Sequence, residues 1–329
     1  MMDPAQCLVM AVASLTYAEA VVIGLLQGVT ELFPVSSLGH SVLIPALIGG
    51  RWAQDLSLGA DQSPYLAFLV AVHVATAAAL VWFFRADWVR IVRGLFTSVR
   101  DRRIENPDQR LAWLLIAATI PVGLAGLVLE HTVRTALGKP LPASIFLLVN
   151  GLLLAGVERI RRRTPEPRVP LAVGSDGVYV GSTAQQHGGV SAHGGDVESD
   201  HRLAGLGWKQ AILIGAAQIL ALLPGISRSG VTIGAGLLRG LSHEDAARFA
   251  FLLATPVIAA AGVLKLPELA GPAGHGIAGP VLAGSLVAGV AAYVSLRFLT
   301  RYFETRTLNP FAIYCVVAGL GGLIWFGVQ

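Results

Sequence analysis

Residues 27–40 read Gln27-Gly-Val-Thr-Glu-Leu-Phe-Pro-Val-Ser-Ser-Leu-Gly-His40 and lie inside an apolar region covering 18–50. Such a region would cross a bilayer as one rod, except that Pro34 removes a backbone donor and drives the residue before it out of the α conformation. The region therefore reads as helix, break, helix. Non-helical backbone at membrane depth survives only where protein or a watery cavity surrounds it, so the break is the place to look for chemistry. Region 208–240 repeats the design. Gly24-Leu-Leu-Gln27, six residues and Pro34-Val-Ser-Ser37 match Gly215-Ala-Ala-Gln218, five residues and Pro224-Gly-Ile-Ser227. Three candidate spans follow each broken region, and an odd number of crossings turns the second copy upside down. This predicts an inverted-topology repeat.

The spans are expected at about 66–84, 111–129, 143–157, 249–264, 278–296 and 311–328. The fold class that results is an all-α integral membrane protein with six transmembrane helices and two re-entrant broken helices. The first repeat occupies 1–163 and the second 204–329. Composition agrees: 54% of 329 residues are hydrophobic and 13% charged, against about 25% charged in soluble domains, and mean hydropathy is +0.66. A disordered chain is excluded, and a water-soluble enzyme is disfavoured. The net charge of +4 does not point to nucleic acid, because the basic residues form short clusters between apolar runs. Arg85 to Arg110, Arg159 to Arg163 and Arg297 to Arg306 all fall on one side if that side is the cytoplasm. Residues 164–203, rich in Gly, Ser and His, are expected to be a flexible cytoplasmic insert whose His187, His193 and His201 are solvated and not metal ligands. Residues 1–17 lack a basic n-region and a small-residue cleavage site, so no removable signal peptide is expected. Cys7 and Cys315 offer no disulfide framework or zinc signature.

Gln27 and Glu31 lie four apart on one helix face just before the break. A carboxylate in an apolar helix is costly and is a functional candidate by default. Glu31, with the Gln27 carbonyl, suits a hard divalent cation, since magnesium takes one or two carboxylates alongside substrate phosphates; the competing reading is a carboxylate paired for structure. Beyond the break, Ser37 offers a nucleophile and His40 a general base or acid, with Ser36 beside them, although serine capping and a backbone-bonded histidine are the bland alternatives. Arg228, flanked by Ser227 and Ser229 with Thr232 one turn on, combines a guanidinium fork, three hydroxyls and a helix N-terminus into a phosphate clamp. Pairing of Arg228 with Glu31 is the alternative and does not exclude function. Two half-helix N-termini facing each other would hold two phosphates. His73 and Thr76, mid-span, line the same cavity or are satisfied in the core. Glu130, His131 and Glu158, at span ends, are expected on solvated faces.

These residues resemble a family. Gln27 to His40 and Leu223-Pro-Gly-Ile-Ser-Arg-Ser-Gly-Val-Thr232 are similar to the two signature motifs of the bacterial undecaprenyl-pyrophosphate phosphatases, the bacitracin-resistance family. Weaker likeness runs through Pro121-Val-Gly-Leu-Ala-Gly126, Asn150-Gly-Leu-Leu-Leu154, Gly207-Trp-Lys-Gln-Ala211 and Phe249 to Pro256, and only the insert stands outside it. The resemblance implies a multi-pass hydrolase of the bacterial plasma membrane that converts undecaprenyl diphosphate to undecaprenyl phosphate and phosphate, with a site reached from the outer face and dependence on Mg²⁺ or Ca²⁺. It places the acidic motif on Gln27 and Glu31, the serine and histidine on Ser37 and His40, the phosphate-binding arginine on Arg228, and hydroxyl positions on Ser36, Ser227, Ser229 and Thr232. The first acidic position is often Glu in the family and here is Gln27. Leu38 replaces a small, usually hydroxylated residue, and Ala75 replaces a glycine. His40 and Ser37 stay open as rivals for the nucleophile. The expected partners are the lipid substrate and the membrane, with a homo-oligomer left open. A prenyl-phosphate flippase is the alternative from another class, because broken helices in inverted repeats are common in transporters. A type-2 phosphatidic acid phosphatase is disfavoured, since its Lys-containing first motif is absent.

Overall fold

A computed structural model describes residues 15–56, 64–163, 192–269 and 276–328, without the side chains of 130, 134, 192–197 and 263–269. Helices α1 (Tyr17–Thr30) and α2 (Ser37–Ile48) are the arms of the first broken region, followed by the short α3 (Gly50–Asp55). Then come α4 (Pro64–Phe83), α5 (Arg85–Asp101), α6 (Pro107–Leu137) and α7 (Pro140–Arg163). After the undescribed part of the insert, α8 (Ala192–Ala204) leads to α9 (Trp208–Ala216) and a 3₁₀ helix, Ala217–Leu222. The second broken region closes with α10 (Arg228–Leu238), and α11 (His243–Leu269), α12 (Ala278–Thr305) and α13 (Asn309–Gly327) complete the chain. No strand occurs among the described residues.

Six helices are long and apolar enough to cross a membrane, as expected: α4, residues 107–129 of α6, α7, residues 243–262 of α11, α12 and α13. Several outrun their apolar windows. Helix α7 continues through Arg161, Arg162 and Arg163 in its last turn, where cations complement the helix dipole, and α11 opens with Glu244 and Asp245 in its first turn. An additional bend of 98° separates 198–204 from 208–222.

Packing follows one pattern in both halves. Helix α1 packs on α12 while α9 packs on α6, and α4 meets α11 while α7 meets α13. The matched glycines make equivalent close approaches. A Cβ on Gly24 would stand 2.3 Å from the Gly284 carbonyl oxygen of α12, and one on Gly215 would stand 2.0 Å from the Ala118 carbonyl oxygen of α6. Glycine is what lets the backbones touch.

Two expectations need correction. The far end of the insert is not a loose linker, because residues 192–204 are helical and the end of α8 is docked. Asp200, 1% exposed, accepts from Arg90 at 2.6 Å and from Arg248 at 2.7 Å. Arg202 donates twice to Asp245 at 2.9 Å, and Ser199 donates to the same carboxylate. Charge pairing across the fold orders a segment with little apolar periodicity of its own. Residues 164–191, with His187, lie outside the described residues, as does the side chain of His193, and His201 is exposed. Glu158 is not solvated either: it is buried, and accepts from the Leu308 amide at 2.8 Å and faces His243 Nε2 at 2.6 Å. It thereby caps the turn into α13 and ties α7 to α11. His131 is exposed, and the side chain of Glu130 lies outside the described residues.

Candidate active site

The two breaks cross one another and are stitched together by polar groups. Ser36 sits at φ +72°, a left-handed conformation rare for a residue with a side chain. Its hydroxyl accepts from the Gly39 amide, capping α2, and from the Gly225 amide of the other break, both at 3.2 Å. Asn150, buried on α7, donates to the Pro34 carbonyl at 3.1 Å and accepts from the Ser227 amide at 3.0 Å, so one side chain satisfies backbone groups of both breaks. Ser227 caps α10 by accepting from the Gly230 amide at 3.2 Å. Ser229 donates to the Phe33 carbonyl at 3.1 Å and Thr232 to the Arg228 carbonyl at 2.7 Å. Apart from the Thr232 bond, which lies within α10, these bonds replace those that the interrupted helices cannot make.

A cavity of about 290 Å³ lies against this crossing. Its polar end is formed by Glu31, Ser37, His73, Gln218, Ser227 and Arg228, and its apolar wall includes Val70, Val122, Ala221, Leu222, Val257 and Ile258. Helices α2 and α10 both begin there, with Ser36–Ser37 and Ser227–Arg228 at their first turns. Two positive dipole ends thus point at one chamber.

Glu31 is the hub. Its Oε1 accepts from Arg228 Nη2 at 2.7 Å, and its Oε2 accepts from Ser37 Oγ at 2.5 Å and Gln27 Nε2 at 3.1 Å, with His73 Nε2 at 3.5 Å. The carboxylate is 7% exposed, and a buried charge of this kind persists only with its partners in place. Gln27 and Gln218, the matched glutamines of the two broken regions, each keep a buried side-chain oxygen with no hydrogen-bond partner among the described residues. Among the described residues, no group of three or more His, Cys, Asp and Glu is arranged so that it could hold a metal ion.

The expected residues divide. Glu31, Ser37, Arg228, Ser36 and Ser227 line the chamber, with Gln27 bonded to Glu31 behind it. Ser229 and Thr232 serve the backbone, and neither lines the chamber. His40 is turned away: Nδ1 faces the Ser36 carbonyl at 2.7 Å and Nε2 the Tyr314 hydroxyl of α13 at 2.6 Å. Since the carbonyl can only accept, Nδ1 carries the proton and Tyr314 donates to Nε2. His73 takes the place beside Glu31, its Nδ1 held by the Leu69 carbonyl at 2.7 Å, while Thr76 bonds within its own helix. Gln218 and Asn150 carried no chemical signal in the sequence; the match of Gln218 to Gln27 in the repeat is the one hint that pointed to it.

The family model described as bacitracin resistance protein BacA matches residues 20–321. An undecaprenyl-diphosphatase of Mycolicibacterium paratuberculosis is 63% identical over 321 residues, covering 96% of this chain and 99% of that protein. Undecaprenyl-diphosphatase 2 of Frankia alni is 58% identical, covering 93% and 96%. Undecaprenyl-diphosphatase 2 of Chromobacterium violaceum is 41% identical, covering 93% and 98%.

Proposed function

The chain belongs to the bacitracin resistance protein BacA family, and from this we infer that it is an undecaprenyl-diphosphatase, a multi-pass membrane hydrolase that releases phosphate from undecaprenyl diphosphate and returns the monophosphate carrier lipid to cell-wall synthesis. The observation that carries the assignment is a single carboxylate, Glu31, bonded to Ser37 and Arg228 at the polar head of a chamber whose remaining wall is apolar. That shape suits a diphosphate on a prenyl tail.

In the proposed mechanism the terminal phosphate enters between the N-termini of α2 and α10, and Arg228 moves from Glu31 to the phosphate oxygens. Freed of that guanidinium, Glu31 is the stronger base. The Ser37 hydroxyl already donates to Glu31, so its lone pairs are available to the terminal phosphorus. Attack forms the Ser37–phosphorus bond, the bond to the bridging oxygen breaks, undecaprenyl phosphate departs, and the proton passes to Glu31. Water then attacks the phosphoserine, the Ser37–phosphorus bond breaks as Glu31 returns its proton to the Ser37 oxygen, and inorganic phosphate carries away both of the water's protons. Ser37 is preferred over His40 because His40 does not line the chamber. One carboxylate with the unpartnered Gln27 oxygen fits a Mg²⁺ or Ca²⁺ that takes its other ligands from phosphate and water. Such a cation, held by Glu31 and Gln27, would neutralise diphosphate charge.

The reading is tested with purified protein and undecaprenyl diphosphate, with and without EDTA. Arg228→Ala and Glu31→Ala are each expected to lower phosphate release by at least about 10²-fold while the protein stays monodisperse in detergent. Near-normal turnover would overturn the site, and lipid translocation without phosphate release would favour the flippase. We also propose that the chamber opens to the outer face, supported by the arginine distribution that fixes the orientation of the spans. A membrane-impermeant maleimide should then label Leu38→Cys from outside the cell; labelling only after permeabilisation reverses this.

A further inference from the structure

Helix α5 is two-faced in a way the hydrolase chemistry does not require. Asp87, Ile91, Gly94 and Ser98 form its buried side. A Cβ on Gly94 would lie 2.9 Å from the Asp108–Gln109 backbone, Ser98 accepts from the Trp113 indole at 2.9 Å, and Asp87 and Arg90 join the Asp200–Arg248 network. Turned the other way are Val89, Val92, Phe96 and Val99, exposed by 49%, 42%, 70% and 58%. Their spacing of three, four and three residues makes one continuous apolar stripe on a helix. Arg93 and Arg100 run along one edge of it, and Arg85 stands at its start. Arg100 and Arg103 are offset by Asp101 and Glu105, whereas Arg93 has no hydrogen-bond or ion-pair partner among the described residues. The positive excess therefore sits beside exposed apolar surface.

We propose that α5 is an interfacial helix that binds anionic lipid head groups, with its stripe at the acyl boundary and Arg85 and Arg93 on lipid phosphates. An apolar stripe edged by arginines is what a helix lying in a charged membrane surface requires. The arginine-rich loops place it at the cytoplasmic leaflet. Other occupants fit less well. Residues 164–191 bring Glu166 and Asp176 against Arg168, too little acid to match the helix. A second copy docking α5 on α5 would set arginine against arginine, because a twofold contact apposes a surface with itself.

The test uses full-length protein with Cys7→Ser and Phe96→Cys, leaving the buried Cys315 in place. A nitroxide at position 96 is read in nanodiscs of phosphatidylcholine alone or mixed with phosphatidylglycerol. Expected is collision with oxygen over an aqueous nickel complex, and preferential contact with spin-labelled phosphatidylglycerol that falls about fivefold for each arginine replaced in R93Q and R85Q/R93Q. Val92→Cys serves as a second position should Phe96→Cys fail to fold. A label open to the nickel complex in both lipids overturns the proposal. So does spin–spin coupling between copies, and so does a label shielded from both reagents, which would mean that the chain covers its own stripe.

Discussion

Ser37 and His40 share the first turn of α2, yet they face different parts of the molecule. Ser37 reaches Glu31 and the chamber, and His40 reaches a tyrosine 274 positions away in the chain. Replacing each should separate chemistry from structure. Ser37→Ala is expected to lower turnover by about 10³-fold, far more than the modest drop in detergent melting temperature from the hydrogen bond that Glu31 loses. His40→Ala strands the Tyr314 hydroxyl and should cost about 1–3 kcal/mol of stability, with a much smaller loss of turnover in the folded fraction; equal losses would put His40 back in the reaction. At this scale charges were the legible residues. Glu31 and Arg228 stand out because ions in apolar helices need a reason, and they proved to be each other's partners. Asn150 and Gln218 are neutral amides in apolar runs and match no motif of chemistry. Their roles come from contacts between segments far apart in the chain, such as the bond from Asn150 to Ser227, and periodicity cannot show these. The direction of His40 was illegible for the same reason.

Among the elements, the paired helices α1 with α12 and α9 with α6 depend on the absence of a side chain at one point. Gly215→Ala drives a methyl group into the Ala118 carbonyl, so α9 must lift from α6 and carry the second break with it. Loss of both melting temperature and turnover is expected, measured in one detergent. Gly123→Ala on α6 meets nothing within 4 Å and should be neutral or stabilise by up to about 1 kcal/mol. If both behave alike, the close approach is not what holds these helices. The six spans and both breaks were readable because each rests on a local property, an apolar run or a proline with its small neighbours. Helix α8 was not, because what orders it is Asp200 meeting Arg90 and Arg248 from two other helices.

Across the whole molecule, that network joins α5, α6, α8 and α11 at the end of the bundle reached by the insert. Asp200→Ala removes an acid that both Arg90 and Arg248 bind while leaving both arginines on Asp87, and losing such charged hydrogen bonds costs about 1–3 kcal/mol. The variant should unfold at lower temperature in detergent, and Asp200→Asn should recover part of the loss. Excising 164–191 leaves α8 and its pairs in place and is expected to keep both fold and turnover, while an excision that runs on through residue 203 should behave like Asp200→Ala. Equal tolerance of the two deletions would show that the docked end carries no weight.

The stitching of the two breaks by Asn150 also has a consequence in time. A ribosome delivers Pro34 and Asn150 to the membrane well before Ser227 and Arg228, so for part of synthesis Asn150 holds the first break with its own acceptor unfilled, and Glu31 lacks its guanidinium. In the proposed mechanism the nascent half then carries its nucleophile and base but no phosphate clamp. Catalytic competence therefore arrives late in translation, as the second half inserts and closes the chamber, and a truncated product released early is chemically silent toward the carrier lipid.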